Sequence, residues 1–256
     1  MRNPLTVTMG GGGAFALGYH MGLAAGLRDG GIDIATSPLL GTSGGSHAAV
    51  AIATGMTFDD IAPVWQEYVD KARLLWGRAG PLAEALYGSR QVPEGSAAGS
   101  VAVRLLGFKR VPLWNDAVPL ADIVAASSSI LPFTRPHKVG KRRYIDGGHR
   151  SATSADLAPD ADLQLLFVPY AYKSQGFLGR IGARQIRKES PKWEASTGGR
   201  TVMVLPTDEM CAMSKGMRVI GDIADAKKVH DLTIPVGREL AATLRRDHPE
   251  VIARLG

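Results

Sequence analysis

The N-terminal part of the sequence predicts a strand, a glycine loop and a helix in direct succession. Residues 5–9 alternate in polarity and are rich in strand-forming residues. Four consecutive glycines occupy 10–13, and the mostly apolar stretch 15–27 then predicts a helix. Small residues along that stretch let a helix lie close to a sheet. The segment is therefore a βα unit, the building block of parallel sheets.

A second βα unit follows, and its turn reads Gly41-Thr42-Ser43-Gly44-Gly45, a G-x-S-x-G pattern. The apolar residues 37–40 lead into the turn, and the Ala-rich stretch 46–53 leads out of it. In hydrolases this pattern places a serine on a sharp turn between strand and helix, with its hydroxyl raised into a cleft. Alone the pattern is weak, because most G-x-S-x-G matches are plain turns.

The remainder of the chain continues the alternation of strands and helices. Helices are predicted over 57–69, 119–126, 209–229 and 235–254, and strands over 163–168 and 201–205. A two-strand passage is predicted over 138–144. Residues 77–112 are predicted to form short helices and loops, a candidate lid or insertion. We expect residues 1–256 to form a single three-layer α/β/α domain with a mainly parallel central sheet.

Composition and charge restrict the cellular compartment and the kind of partner, but they do not define a function. Cys211 is the one cysteine, so no intramolecular disulfide can form. The N-terminus lacks a signal-peptide core, and no apolar run is long enough to span a membrane, which favours a cytoplasmic protein. The net charge of +6 suits an anionic partner. Nucleic acid is not expected, because the charge is modest and no recognition motif occurs.

The glycine run at 10–13 is a candidate anion site, because free backbone N–H groups there can converge at a helix N-terminus. The anion could be a phosphate or the oxyanion of acyl transfer. A nucleotide fits poorly, since no Gly-Lys-Ser/Thr follows. The spacing of Gly11, Gly13 and Gly18 also departs from the dinucleotide fingerprint.

A third motif, Asp146-Gly147-Gly148, ends the two-strand passage. Together, the glycine loop, G-x-S-x-G and D-G-G resemble the patatin-like phospholipase family. The segments 144–158 and 126–132 look like that family's block around its aspartate and its A-S-x-x-x-P segment. The resemblance covers 5–56 and 118–170 well.

This resemblance implies a lipid acyl hydrolase with a Ser–Asp dyad and neither metal nor cofactor. It implies Ser43 as nucleophile and Asp146 as its partner and general base. Backbone N–H groups of Gly11, Gly12, Gly13 and Gly44 would then form the oxyanion hole. The chain departs from the family in one respect: residues 14–22, directly after the glycines, contain no arginine.

Two other functions remain open from the residues alone. One is an α/β-hydrolase with a Ser–Asp–His triad, in which His149 or His230 would follow Asp146 in chain order. The other is a non-catalytic lipid-binding or anion-binding protein with the same fold. The acyl substrate, its chain length and the oligomeric state cannot be read from the sequence.

The basic segment 171–200 is a candidate for peripheral contact with an anionic membrane. Its Lys and Arg residues would contact lipid headgroups, and Phe177, Leu178 and Trp193 would insert at the interface. A solvated basic loop, or a helix packed on the sheet, explains the same pattern equally well.

Overall fold

A computed structural model describes residues 2–71, 79–214 and 221–255 of the chain. Within these residues the strands are β1 (Asn3–Met9), β2 (Leu39–Gly41), β3 (Ala98–Arg104), β4 (Lys109–Trp114), β5 (His137–Val139), β6 (Arg142–Asp146), β7 (Ala161–Phe167) and β8 (Arg200–Val204). The helices are α1 (Gly13–Asp29), α2 (Gly44–Ala53), α3 (Phe58–Lys71), α4 (Ala79–Tyr87), α5 (Leu120–Ser127), α6 (Gly176–Thr197), α7 (Asp208–Met213), α8 (Ile223–Asp247) and α9 (Pro249–Ile252).

All of these strands join one sheet in the order β5-β6-β3-β2-β1-β7-β8, with β4 paired to β3. The strands β3, β2, β1, β7 and β8 are parallel, whereas β4 and β6 run antiparallel to β3. Helices flank this sheet, as the sequence predicts. None of the helices in the described ranges combines the length and apolar character needed to cross a membrane.

Helix α1 is buried because α8 packs along it. Small residues at the contact allow the two helices to approach closely. A Cβ atom on Gly22 would come within 2.0 Å of the Thr233 hydroxyl oxygen. A Cβ on Gly26 would come within 2.1 Å of the Ile234 carbonyl oxygen. Glycine is therefore required on α1 where the backbones approach each other.

The predicted division into helices 209–229 and 235–254 is wrong. Helix α8 runs without a break from Ile223 to Asp247 and contains Pro235 in its interior. A proline removes one backbone hydrogen bond from a helix, but the long contact with α1 stabilises the continuous segment. Residues 215–220 of the first predicted helix lie outside the described residues.

The prediction of short helices and loops over 77–112 is wrong from Ala98 onward. Strand β3 is buried over most of its length and pairs with β2, so this part of the segment is not a lid. Its first residues, Ala98, Gly99 and Ser100, are small and have low strand propensity. Tertiary packing overrides that preference: a Cβ on Gly99 would lie 2.5 Å from the Trp114 ring. Residues 77 and 78 lie outside the described ranges.

Candidate active site

Strands β2 and β6 both pair with the same edge of β3. Because β2 is parallel and β6 antiparallel to β3, their C-terminal ends point toward each other. Strand β4 occupies the opposite edge of β3 from Gly99 to Arg104. On the shared edge, Gly41 at the end of β2 pairs with Ser100, and Asp146 at the end of β6 pairs with Ala102. One residue of β3 separates the two strand ends. The topology therefore brings the turn after Gly41 to Asp146, although the two are far apart in the sequence.

The G-x-S-x-G turn, residues 41–45, forms a tight elbow between β2 and α2. Ser43 has φ 53° and ψ −122°, a conformation uncommon for a residue with a side chain. Such strain costs about 1–3 kcal/mol and persists only where the surroundings enforce it. The Ser43 carbonyl accepts hydrogen bonds from the Ser46 N–H at 2.8 Å and from its hydroxyl at 2.6 Å.

The close approach at the elbow requires glycines on both sides of the serine. A Cβ on Gly41 would lie 2.2 Å from the Gly45 carbonyl oxygen. A Cβ on Gly45 would lie 2.2 Å from the Met9 carbonyl oxygen at the end of β1. The glycines of the motif therefore allow α2 to begin against β1 and β2 without a steric clash.

The buried hydroxyl of Ser127, the last residue of α5, fixes the elbow from behind. It accepts the Ser43 N–H at 2.9 Å and donates to the Val101 carbonyl at 2.7 Å. Val101 lies on β3 at the position between the ends of β2 and β6. Ser127 thus fills the gap in the sheet directly behind Ser43.

Asp146 is held with one carboxylate oxygen engaged and the other without a hydrogen-bond partner. Its Oδ1 accepts the Gly148 N–H at 2.6 Å, and its own N–H donates to the Ser129 carbonyl at 2.9 Å. Its Oδ2 is buried and has no partner in hydrogen-bonding geometry. The Ser43 side chain is nevertheless close enough to stabilise the ionised carboxyl group.

Burial controls the ionisation of this carboxyl. Desolvation raises the pKa of Asp146 from 3.8 to about 6, although the nearby Ser43 side chain and the hydrogen bond from the Gly148 N–H partly offset the rise. The carboxylate is consequently a stronger base than an exposed aspartate, while it stays ionised at neutral pH.

The glycine loop lies against the elbow, as the sequence suggests. A Cβ on Gly11 would lie 3.3 Å from the Ser43 Cβ, and one on Gly44 would lie 2.2 Å from the Gly13 carbonyl oxygen. Helices α1 and α2 begin at Gly13 and Gly44, so their N-termini lie side by side at Ser43. Two positive helix ends therefore point to the same small region.

The four glycines predicted as oxyanion donors are not equivalent. The Gly11 N–H donates to the Ala152 carbonyl at 2.7 Å, so Gly11 is a support of the loop and not a free donor. Within the described residues, the N–H groups of Gly12, Gly13 and Gly44 have no hydrogen-bond acceptor. The φ of Gly12 is +150°, in a region that disfavours side chains.

His20 supports the same loop from inside α1. Its Nε2–H donates to the Gly10 carbonyl at 2.7 Å, and its ring stacks on Phe167. Complete burial lowers the pKa of His20 from 6.5 to about 4, so the imidazole is neutral at physiological pH. The sequence gives no local signal for this contact.

Neither histidine of the triad alternative forms a hydrogen bond or an ion pair with Asp146. His149 accepts the Leu131 N–H on its Nε2 at 3.2 Å, and partial burial lowers its pKa. His230 lies on α8, where its Nδ1 is 2.9 Å from an Asp231 oxygen and its ring packs on Phe58. Neither ring is hydrogen-bonded to the Ser43 side chain.

The segment after Asp146 is held by one face of α6. Gln185 accepts the Ala152 N–H at 2.9 Å, and Glu189 accepts the Thr153 hydroxyl at 2.6 Å. Lys192 lies 2.7 Å from an Asp156 oxygen. Helix α6 therefore fixes the segment whose Ala152 carbonyl supports the glycine loop.

This packing corrects part of the membrane hypothesis for residues 171–200. Trp193 was expected to insert at an interface, but it is buried and its indole N–H donates to the Ala158 carbonyl at 3.1 Å. Phe177 is 76% exposed. The side chain of Leu178 lies outside the described residues.

Ser127 and His20 support the site, and sequence reasoning assigned neither a role. Ser127 lies in the segment 126–132, which resembles the family's A-S-x-x-x-P segment. That resemblance is the sequence signal that could have pointed to Ser127. No three His, Cys, Asp or Glu side chains in residues 2–71, 79–214 and 221–255 are grouped so that they could hold a metal ion.

Comparison with known proteins identifies the family of the chain. The structure of VipD from Legionella pneumophila aligns with a TM-score of 0.42 and 13% identity, over 90% of this chain and 67% of that chain. No curated protein sequence gives a significant match. The family model for patatin-like phospholipases matches residues 7–159, more than half of the chain. The protein therefore belongs to the patatin-like phospholipase family.

Proposed function

We propose that the protein hydrolyses lipid carboxylic esters through an acyl-serine intermediate, with Ser43 and Asp146 as a catalytic dyad. The observation that carries the proposal is the state of the Asp146 carboxyl. It is buried, one oxygen is held by the Gly148 N–H, and the other has no hydrogen-bond partner. Family membership supports lipid acyl hydrolysis in general. The assignment of Ser43 and Asp146 as the catalytic dyad is the more specific part of the proposal.

In the first half of the reaction, the Ser43 hydroxyl oxygen attacks the ester carbonyl carbon. Asp146 takes the hydroxyl proton on Oδ2, and the carbonyl oxygen becomes an oxyanion. The N–H groups of Gly12, Gly13 and Gly44 are the proposed oxyanion donors, aided by the two helix N-termini. The intermediate collapses when the C–O bond to the alcohol breaks, and Asp146 returns its proton to the leaving oxygen.

In the second half, water attacks the acyl-serine and gives a proton to Asp146. A second oxyanion forms in the same place, and its collapse releases the fatty acid. The Ser43 oxygen leaves and regains the proton from Asp146. No histidine is required, because burial raises the pKa of Asp146 to about 6 and makes it an adequate base.

A panel of esters tests this proposal: a diacyl phospholipid, a lysophospholipid, a triacylglycerol and a soluble nitrophenyl ester. Ser43→Ala is expected to abolish turnover, and Asp146→Asn to lower kcat by about 10²–10⁴-fold. His149→Ala and His230→Ala are the matched controls and should stay within a few-fold of wild type.

Two results would redirect the assignment. A loss of turnover in a histidine variant comparable to that in Ser43→Ala would favour a triad. Absence of turnover on every ester, together with no covalent labelling by a fluorophosphonate, would leave a lipid-binding protein without catalysis.

A further inference from the structure

The turn between β3 and β4 exposes large apolar side chains at a projecting tip. Leu106 is 87% exposed, the highest value for a large hydrophobic residue among those described. Its neighbours Leu105 and Phe108 are 40% and 42% exposed. Apolar side chains grouped in this way on a surface commonly mark an interaction site.

A second turn, between β5 and β6, lies beside the first and is strongly basic. The Leu105 N–H donates to the Arg143 carbonyl at 2.9 Å, which joins the two turns. We call residues 104–109 and 140–143 together the hairpin tips. The depression between them is lined by Arg104, Leu105, Leu106, Gly107, Lys141, Arg142 and Arg143.

The basic side chains of the hairpin tips lie at the protein surface. Lys109, Lys141, Arg142 and Arg143 are all exposed. In the part of the chain that the structure describes, none of the four forms an ion pair with a carboxylate. A protruding apolar tip surrounded by exposed cations is complementary to a surface that is anionic outside and apolar beneath.

The hairpin tips project from the end of the sheet that carries Ser43. Gly41, just before the elbow, is level with Ser100 on β3. Strand β3 continues in the same direction to Arg104, so the tips lie about 10–15 Å beyond that level. The guanidinium of Arg150 lies 5.5 Å from the centre of the Phe108 ring. This contact connects the tips to the segment that follows Asp146.

We propose that the hairpin tips are a docking surface for an anionic phospholipid bilayer. Leu105 and Leu106 enter the interface, and the basic residues contact the headgroups. Docking there turns the Ser43 end of the sheet toward the lipid. Nucleic acid is the less suitable partner, because two protruding leucines find no apolar interior there and cannot stack on bases.

Co-sedimentation with vesicles tests the docking surface independently of catalysis. The wild-type protein and Ser43→Ala should both sediment with equimolar phosphatidylcholine and phosphatidylglycerol, and neither with phosphatidylcholine alone. The double variant Arg142→Glu/Arg143→Glu should lower partitioning by at least about tenfold, because each cation near an anionic surface contributes about fivefold. Leu106→Ser should weaken binding to the same vesicles without changing its salt dependence.

A matched pair on α6 provides the control for charge. Arg184→Glu/Arg187→Glu makes the same charge change at exposed positions outside the hairpin tips and should partition like the wild type. Thermal unfolding checks that every variant is folded. Loss of binding only in the α6 pair, unchanged binding in the hairpin-tip variants, or no binding by the wild type would each overturn the proposal. Tight binding of duplex DNA without vesicle binding would overturn it in favour of a nucleic acid.

A fluorophore reports insertion at a single site. Cys211 is buried, so Leu106→Cys can be labelled selectively with an environment-sensitive dye. Its emission should shift to the blue on the anionic vesicles. Thr36→Cys, exposed just before β2 at the opposite end of the sheet, is the control and should not shift. Equal shifts at both positions, or none at position 106, would contradict insertion of the tip.

Discussion

The Ser127 hydroxyl accepts the backbone N–H of Ser43 at 2.9 Å while it donates its own proton to Val101. With its proton committed to Val101, the hydroxyl cannot serve as a catalytic acid. Its contribution is to hold the strained Ser43 backbone in place. Ser127 is therefore a positioning residue in this account.

Ser127→Ala should consequently damage both stability and turnover. It leaves the Ser43 N–H and the Val101 carbonyl without a partner, which costs about 1–3 kcal/mol of the free energy of unfolding. Misplacement of the elbow should lower kcat by about 10–100-fold, with a smaller effect on KM. Ser127→Thr, which keeps the hydroxyl, should restore part of kcat.

The neighbouring residue offers a control for that substitution. The Ser128 hydroxyl is buried and has no hydrogen-bond partner among the described residues, so Ser128→Ala breaks no hydrogen bond. Urea unfolding and steady-state kinetics of both variants check the prediction. Equal losses in Ser127→Ala and Ser128→Ala would contradict a specific role for Ser127.

The pH dependence of turnover should report Asp146. Its pKa is raised to about 6, chiefly by burial, and its ionised form is the base. The value of kcat/KM on a soluble ester should rise as the pH increases through about 6 and then level off. A profile that is flat between pH values of about 5 and 7, with the protein folded throughout, would contradict the role of Asp146 as base.

The Asp146 carboxyl should lower the stability of the fold over the same pH range in which its ionisation raises turnover. Its pKa is higher in the folded protein than in the unfolded chain, so the folded state binds more protons between pH 3.8 and about 6. Stability from this group is therefore lost as the pH rises through that window. Asp146→Asn removes the effect.

At pH values well above 6, Asp146→Asn should thus be more stable than the wild type, by about 3 kcal/mol at most. The advantage should shrink to nearly nothing at a pH of about 4. Urea unfolding of both proteins at matched pH values measures this difference. A constant difference across the range would show that burial does not raise the pKa.

His20 should make the protein sensitive to acid. Its pKa is lowered from 6.5 in an unfolded chain to about 4 by burial, so the unfolded state takes up the proton first. Stability is lost as the pH falls from 6.5 to about 4, by up to about 1.4 kcal/mol per pH unit. His20→Gln can keep a donor toward Gly10 without titrating and should flatten the unfolding free energy in that range. An unchanged slope would contradict a neutral buried His20.

The sequence predicted the elements that carry local signals. The first two βα units, the two-strand passage before Asp146 and the position of Asp146 at a strand end all follow from glycine turns and alternating polarity. Strand β3 was missed because its small residues have low strand propensity, and the reason for them is packing against Trp114. Helix α8 was divided at Pro235 because the contact with α1 that stabilises it is not local.

The candidate site shows the same division between local and tertiary information. The resemblance carried by the three motifs pointed to Ser43, Asp146 and the glycine loop as candidates. It could not show that the Gly11 N–H already donates to the Ala152 carbonyl, or that Gln185 of α6 holds Ala152 from far along the chain. The hydroxyl of Ser127 behind the elbow and the imidazole of His20 under Gly10 depend on the same long-range packing.

The most direct test of the account is the covalent state of Ser43. A fluorophosphonate should add one adduct to the intact protein, and peptide mass spectrometry should place that adduct on Ser43. Labelling should be absent in Ser43→Ala and slowed by about 10²-fold or more in Asp146→Asn. An adduct on another residue, or labelling of Asp146→Asn at the wild-type rate, would contradict the Ser43–Asp146 dyad.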